Sequence, residues 1–597
     1  MDNQPAAQIE ASRNPWIRFG PWLIILLVLL FVGLIRVRLL EVPLERDEGE
    51  YAYAGQLILQ GIPPYELAYN MKLPGTYFAY AAGMAVFGQT ISGIHLTLLA
   101  VNSLTTIFVF LLGRKLFGTA AGVVAGLTYA IMSVSPAVYG MAAHATHFVV
   151  LFAVPATLLL WRACEANERR LFFFSGLLYG LAFLMKQPGI CFGLFGAVVL
   201  LGQAVRNRSV FTRDTGARFL VFGAGMAMPF TFFCLAAFIA GDFHRFWFWT
   251  FTYAGVYAAA TPLAIGGREL FRHLQHTAPV SWGLWSLALA GLPFAWSNLS
   301  CRKPAVFLLV FFGFSFLGTA SGLYFRWHYF VLILPAFALL LGQSYAGLQA
   351  WLRGRRLAAG VPLWFAAICL WTVYYQRWFL FQMSPVQITQ TIYRNNPFVE
   401  SLTMAQYIQA HSSGDARVAV VGSEPEIYFY AHRHSATGYI YTYPLDESQP
   451  YAAKMQREMI SEIESNQPEY LVLVMYKFSW LLQASSDPIV FHWVDWYARE
   501  FYEPVGAADL KPTGEIIYFW GDDARHFHDP LGQFIIIYKR KPSPETVPGD
   551  APQPAARSSS RSVFNRNWPQ AASMSWPFSR RSVAITFCFS SAARKFS

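Results

Sequence analysis

The chain has 597 residues, of which 55% are hydrophobic, 17% aromatic and only 13% charged, with a formal net charge of +11. This composition excludes an ordinary set of soluble domains and predicts an integral membrane protein. The basic excess does not indicate nucleic-acid binding, because most basic residues lie in short loops between apolar blocks or in the tail. The six cysteines form no CxxC pair and predict no disulfide framework.

Apolar blocks of about 17 to 25 residues recur along the chain, and a helix of that length crosses roughly 30 Å of hydrocarbon. We therefore predict an α-helical polytopic membrane protein with about 11 transmembrane helices. The first block is too long for the apolar part of a signal peptide, so we expect it to be retained. The predicted spans are residues 21–40, 91–112, 119–137, 143–161, 171–187, 189–205, 219–240, 281–297, 304–323, 328–347 and 360–378.

The basic turns between these spans predict the orientation of the protein. If residues 1–20 form a cytoplasmic N-terminal tail, every basic turn falls inside, as the positive-inside rule requires. The long loops 41–90 and 241–280 then lie outside. We predict a multi-pass protein of the cell inner (plasma) membrane, with residues 21–378 as one transmembrane domain.

The composition changes after the last predicted span. From 379 to 541 the runs "ARVAVVGSEPEIYFYAH", "PEYLVLVMY" and "GQFIIIYKRK" read as strands with helical patterns between them. They predict a small α/β extracytoplasmic C-terminal domain. Residues 542–597 are rich in Pro, Ser, Ala and Arg, and this basic tail is predicted to be disordered.

Three carboxylates, Asp47, Glu48 and Glu50, follow the first predicted span in "LERDEGEYAYAG". Local structure accounts for two of them, because Asp47 can cap a helix and Glu50, three residues on, can complete a capping box. Glu48 has no such role. Since carboxylates beside apolar surface are costly unless they are used, capping and chemistry both remain open for this loop.

The segments "RDEGEYAYAGQLILQGIPPY", "KLPGTYFAYAAGMAVFG" and "RKLFGTAAGVVAGLTYA" resemble the start of the GT-C membrane glycosyltransferases. That superfamily includes dolichyl-phosphate-mannose protein mannosyltransferases, aminoarabinose transferases and RgtA/B/C/D-like bacterial enzymes. The resemblance continues through "FLMKQPG", "YFRWHYFVLILPAFALL" and "VVGSEPEIYFYAHRHSATGYIY" and covers most of residues 20–445. The chain departs from the pattern at Lys72-Leu73-Pro74, where relatives often have Lys-Pro-Pro.

The resemblance implies an inverting glycosyltransferase that takes a sugar from a polyprenyl-phosphate donor to a lipid, glycan or protein acceptor outside the membrane. Such a donor already carries a good leaving group, so the reaction needs a base for the acceptor hydroxyl more than a general acid. We expect Asp47 to be that base and Glu48 to be its partner. The donor phosphate needs fixed cations, and the candidates at the predicted outer ends of the spans are Lys72, Lys186, Arg326 and His328.

His144 and His147 stand where relatives often carry an aspartate. Their spacing of three puts both imidazoles on one helix face, so they are a candidate site for a divalent metal ion or for the acceptor. Hydrogen-bonded loop histidines are the alternative, and metal dependence stays open.

A polytopic lipid or sugar transporter or flippase is the main alternative function. A transporter should carry its key charges near the middle of the membrane, often on broken helices in related halves. In this sequence the candidate charges collect at one predicted surface, and no related halves are visible. The sequence therefore favours the transferase.

Overall fold

The computed structural model describes residues 15–295, 299–511, 513–528, 530 and 532–542 of the chain. The predicted disordered tail lies outside these residues apart from its first position, and so does most of the N-terminal tail. The described part combines a large helical portion with a sheet near the C-terminus.

The helical portion contains fifteen α-helices among the described residues, joined by turns and loops. They are α1 (Pro15–Arg38), α2 (Arg46–Leu59), α3 (Gly75–Phe87), α4 (Ile91–Phe117), α5 (Thr119–Ser133), α6 (Ala145–Ala166), α7 (Arg169–Met185), α8 (Ile190–Arg206), α9 (Arg213–Ala240), α10 (Phe243–Trp247), α11 (Ala254–Ala259), α12 (Leu263–Ala295), α13 (Leu299–Thr319), α14 (Leu334–Trp351) and α15 (Gly360–Tyr375). Short 3-10 helices at Pro136–Val138 and Trp327–Leu332 and π-helical turns at Phe248–Tyr253 and Trp378–Gln382 connect some of them.

Seven helical segments among the described residues are long and apolar enough to cross a membrane. They are Phe19–Arg38, Ile91–Phe117, Ala145–Ala166, Gln187–Arg206, Arg213–Ala240, Arg302–Thr319 and Arg356–Tyr375. The other four predicted spans fall on α5, α7, α12 and α14. The prediction of a helical multi-pass protein is confirmed, whereas the count of about 11 spans stays a prediction.

Small residues let these helices approach closely, as is usual where lipid supplies no hydrophobic drive between helices. Helix α7 packs on α9 through Gly176 and Gly180, where an added Cβ would lie 2.1 Å from the Phe222 carbonyl oxygen and 2.3 Å from the Met226 carbonyl oxygen. Gly225 makes the reciprocal approach to the Phe173 carbonyl. Larger side chains at these positions would push the two helices apart.

The C-terminal part holds a six-stranded sheet of order β2-β1-β3-β6-β4-β5. Its elements are α16 (Pro385–Ile392), α17 (Phe398–His411), β1 (Arg417–Val421), α18 (Glu426–Ala431), β2 (His434–Ser435), α19 (Tyr443–Asp446), α20 (Ala452–Asn466), β3 (Tyr470–Met475), α21 (Lys477–Trp480), α22 (Ile489–Phe501), β4 (Tyr502–Leu510), β5 (Ile516–Trp520), α23 (Asp522–Arg525) and β6 (Gln533–Arg540). Strand β1 pairs in parallel with β2 and β3, and the other pairs are antiparallel. The three predicted strand runs become β1, β3 and β6; the limits of the domain and its place outside the membrane stay predictions.

The sheet-containing part is fixed to the start of α2. The Arg46 guanidinium forms an ion pair of 2.8 Å with the buried Glu424 carboxylate. The Leu44 amide donates a hydrogen bond of 2.8 Å to the Tyr430 hydroxyl. Helix α2 approaches α18 so closely that a Cβ on Gly49 would lie 2.6 Å from the backbone nitrogen of Glu426. The C-terminal part therefore contacts the same helix that carries the acidic residues.

We expect Gly49→Ala to destabilise the protein by about 1 to 3 kcal/mol, because the added methyl group meets backbone that cannot rotate away. Thermal unfolding in detergent measures the loss as a lower Tm. Gly216→Ala on α9 is the matched control, since nothing lies within 4 Å of its new Cβ. Equal unfolding temperatures for the two variants would contradict the close docking of α2 on α18.

Candidate active site

Helix α2 begins with a capping box that differs from the predicted one. Glu45 is the N-cap residue: the Glu48 amide donates to the Glu45 carboxylate at 3.1 Å, and the Glu45 amide donates to the Glu48 carboxylate at 3.4 Å. The prediction that Asp47 caps the helix and that Glu50 completes the box is therefore wrong. Because the helix starts at Arg46, Asp47 lies within its first turn and its carboxylate is free to face other groups.

Glu48 holds a neighbouring loop in place. Its Oε1 accepts a hydrogen bond of 2.6 Å from the Ala143 amide and lies 3.3 Å from His95 Nε2. Tyr80 donates to the carbonyl oxygen of the same Ala143 at 2.8 Å. The local sequence gives Glu48 no structural role, whereas these contacts between distant segments of the folded chain give it one. We assign it the task of orienting the loop before His144.

Asp47 is the accessible carboxylate of the three. Its side chain is 23% exposed, against 2% for Glu48 and 0% for Glu50. Oδ1 accepts a hydrogen bond from Lys72 at 2.8 Å and lies 3.4 Å from the Tyr441 hydroxyl. Oδ2 points away from Lys72 and lies 3.9 Å from His144 Nδ1 and 3.9 Å from His328 Nε2. One oxygen is thus held, while the other has only distant neighbours among the described residues.

Lys72 lies between two carboxylates. Its Nζ is 2.8 Å from Asp47 and 3.4 Å from Glu50, and Glu50 also accepts a hydrogen bond of 2.5 Å from the Tyr77 hydroxyl. Burial alone would lower the pKa of the Lys72 ammonium, but the two carboxylates raise it well above its ordinary value. Burial would likewise raise the pKa of Asp47, and the charges of Lys72, His144 and Lys186 lower it instead. Asp47 is therefore ionised at neutral pH.

Lys186 and Arg326 have no carboxylate within 4 Å among the described residues, unlike Lys72. The Lys186 ammonium lies 4.3 Å from the centre of the Tyr329 ring. The Arg326 guanidinium donates to the Tyr257 hydroxyl at 3.3 Å and lies over the Tyr324 ring at 5.6 Å. Aromatic faces attract cations without neutralising them. These two charges are thus available for an anion.

Asp47, His144 and His328 form a group whose ligand atoms all lie within 4.8 Å of one another. The two imidazole rings stack at 4.0 Å, and neither ring nitrogen of His144 has a hydrogen-bond partner within the described part of the chain. One carboxylate oxygen with two imidazole nitrogens is a donor set that suits a divalent cation such as Zn²⁺. The chemistry and spacing of these three side chains therefore suit a divalent metal ion.

The predicted pair of His144 and His147 is not brought together as ligands. His144 precedes α6 with an extended backbone, so the helical spacing that suggested a shared face does not apply. His147 faces away and its Nδ1 lies 3.2 Å from Asn102 Oδ1. Asp47, His144 and His328 are each candidates in the sequence, but no local pattern joins them, because His328 is 281 positions from Asp47.

Comparisons with known proteins agree with the sequence resemblance. A family model described as dolichyl-phosphate-mannose-protein mannosyltransferase matches residues 72–233. An undecaprenyl phosphate-alpha-4-amino-4-deoxy-L-arabinose arabinosyl transferase of Pseudomonas aeruginosa is 28% identical over 272 residues, which cover 42% of this chain and 44% of the relative. Its counterpart in Pseudomonas paraeruginosa matches with the same identity and coverage. The aligned part thus spans less than half the length of these curated relatives.

A solved structure extends the likeness along the chain. The crystal structure of ArnT from Cupriavidus metallidurans bound to undecaprenyl phosphate matches with a TM-score of 0.53 and 13% sequence identity. The match covers 87% of this chain and 98% of that one. At this identity the likeness concerns the fold alone.

Proposed function

We infer that this chain is a GT-C membrane glycosyltransferase that transfers a sugar from a polyprenyl-phosphate donor to a lipid, glycan or protein acceptor. The observation that carries this proposal is the accessible, ionised Asp47 carboxylate, which lies 3.9 Å from His328. Arg326 and Tyr329, the ring that Lys186 contacts, belong to the same short segment as His328. Neither Lys186 nor Arg326 has a carboxylate within 4 Å among the described residues. A base for a hydroxyl and fixed charge for a phosphate are the two requirements of the reaction.

Asp47 Oδ2 is the atom that takes the proton. Oδ1 is occupied by the Lys72 ammonium at 2.8 Å, which fixes the orientation of the carboxylate. As the acceptor oxygen bonds to the anomeric carbon, its proton moves to Oδ2 and the bond from that carbon to the phosphate oxygen breaks. The released electron pair stays on the phosphate. Because the acceptor attacks the face of the sugar opposite the departing phosphate, the single displacement inverts the configuration at the anomeric carbon.

Lys186 and Arg326 stabilise the charge that develops on the departing phosphate. Lys72 was predicted for the same task, but its contacts with Asp47 and Glu50 support a different one, that of holding the base. His328 was also predicted to bind phosphate. Its ring lies against His144 and Asp47, which supports a place beside the base instead.

An alternative use of the Asp47 carboxylate is to hold a divalent metal ion. Asp47 Oδ2, His144 and His328 would hold the ion, which would supply positive charge near the reacting phosphate. Because Oδ2 is also the oxygen that would take the proton, metal binding and proton transfer by Asp47 are alternatives. The donor set is independent of Lys186 and Arg326, so metal binding and phosphate binding can be measured separately.

We propose that the reaction takes place on the extracytoplasmic side of the inner membrane, with undecaprenyl phosphate as the carrier. The positive-inside orientation of the basic turns supports this side. The names of the relatives support undecaprenyl over dolichyl carriers, and they make the undecaprenyl phosphate ester of 4-amino-4-deoxy-L-arabinose the first donor to test.

We expect Asp47→Asn to lower kcat by roughly a hundredfold to ten-thousandfold, since the amide cannot accept the proton. The measurement is transfer of labelled sugar from a panel of undecaprenyl phosphate donors to membrane acceptors by purified protein. Asp415→Asn, in the exposed turn before β1, is the matched control. Undiminished transfer by Asp47→Asn would remove the proposed base, and lipid movement without bond cleavage would favour a flippase.

Metal binding has its own test. We expect His328→Ala to abolish high-affinity binding of Co²⁺ to purified protein, followed by its visible absorption, because the three-ligand group loses one member. His147→Ala should bind Co²⁺ like wild type, since His147 faces Asn102. Loss of binding in both variants, or in neither, would contradict the proposed ligand set.

A further inference from the structure

Arg36 is a buried charged residue in a predicted membrane span, and it contacts neither the proposed base nor the proposed phosphate-binding cations. It lies near the end of α1 and is only 3% exposed. No carboxylate of the described residues lies within 4 Å of it. A buried cation in such a segment is costly and usually marks a functional role.

The two terminal nitrogens of Arg36 bind backbone carbonyls. One donates to the Ser133 oxygen at 2.9 Å and the other to the Gly140 oxygen at 3.0 Å. Ser133 is the last residue of α5, where carbonyls lack helical partners. The guanidinium thus bridges the end of a helix and the turn that follows it, using the fixed fork geometry that a lysine lacks.

We call residues 134–144, which lead from α5 to His144, the centre loop. The carbonyls of Ser133 and Gly140 enclose the first part of this loop, residues 134–139. Gly140 lies so close to the end of α5 that an added Cβ would be 2.2 Å from the Ser133 oxygen. Tyr139 has a left-handed backbone with φ of 51°, which is unusual for a bulky residue and persists only where the surroundings hold it.

Other contacts fix the remainder of the centre loop. The Ser135 hydroxyl donates to the Gln376 side-chain oxygen at 2.5 Å, and the Ala143 amide donates to Glu48. Arg36 therefore secures the turn between these two attachments. Without it, the carbonyls of Ser133 and Gly140 would be left without their charged donor.

A small cavity lies beside Arg36, between α1, α4 and α5. Its volume is about 10 Å³, roughly that needed for one water, and its polar lining includes Arg36, Asn102, Ser103, Thr106 and Ser133. Arg36 Nε has no hydrogen-bond partner among the described protein atoms. Asn102 in turn contacts His147, one turn into α6 from His144.

We propose that Arg36, with one water bound in this cavity, is a positioning residue that holds the centre loop and so places His144 beside Asp47. This inference rests on the proposed transferase. Arg36 itself touches neither Asp47 nor the phosphate cations; it acts on the reaction through the loop backbone.

The test compares Arg36→Met with Arg38→Met in the full-length protein. Arg38, two residues later in the same last turn of α1, also donates to backbone carbonyls, but to those of Phe379, Leu380 and Met383. We expect Arg36→Met to raise amide hydrogen exchange in the centre loop by about tenfold or more, whereas Arg38→Met raises it near residues 379–383 instead. Unchanged exchange of the centre loop in a folded Arg36→Met protein would overturn the proposal.

Transfer kinetics supply the second readout. Arg36→Met should lower kcat while leaving the KM for the donor within about twofold, because the phosphate cations are untouched. Arg36→Lys should restore part of kcat, and Asn102→Leu, which fills the water cavity, should reproduce part of the loss if Arg36→Met does not fold. A loosened loop with full kcat would overturn the positioning role. A wild-type protein that transfers no sugar would contradict the proposed function, while loop exchange would still decide whether Arg36 holds the loop.

Discussion

The ion pair between Lys72 and Asp47 is the interaction on which the rest of the site depends. Three carboxylates within four residues would repel one another near apolar surface, and a buried charge without a partner costs several kcal/mol. Lys72 offsets this cost by binding Asp47 and Glu50 together, 2.8 and 3.4 Å away. The pair keeps Asp47 ionised and turns its second oxygen towards the recess that holds His144 and His328.

The remaining parts converge on this pair from distant stretches of the chain. The C-terminal sheet portion reaches it through the Arg46 and Glu424 ion pair and through Tyr441, whose hydroxyl donates to the Arg46 carbonyl at 2.9 Å. The centre loop is connected to α2, the helix that carries Asp47, through the hydrogen bond from the Ala143 amide to Glu48. Substitutions far from Asp47 in sequence are therefore expected to alter the site through the backbone, without removing a reacting group.

Sequence patterns predicted the features that depend on local chemistry. Apolar blocks predicted the helices, and strand runs predicted β1, β3 and β6. The role of Asp47 as the base stays a prediction. The capping error arose because aspartate is a preferred N-cap residue and glutamate is not, yet the fold starts the helix one residue after Glu45. The grouping of His328 with His144, and the burial of Glu48 against Ala143, depend on contacts between distant segments that no local pattern encodes.

Lys186 and Arg326, which have no carboxylate within 4 Å among the described residues, form the proposed phosphate site near Asp47, the base that Lys72 holds. The affinity of purified protein for undecaprenyl phosphate tests this site. The double variant Lys186→Met with Arg326→Met should lose about tenfold or more in affinity. The variant Lys303→Met, at the opposite predicted surface, should bind like wild type. Equal affinity of the wild type and both variants would mean that these two cations do not bind the phosphate.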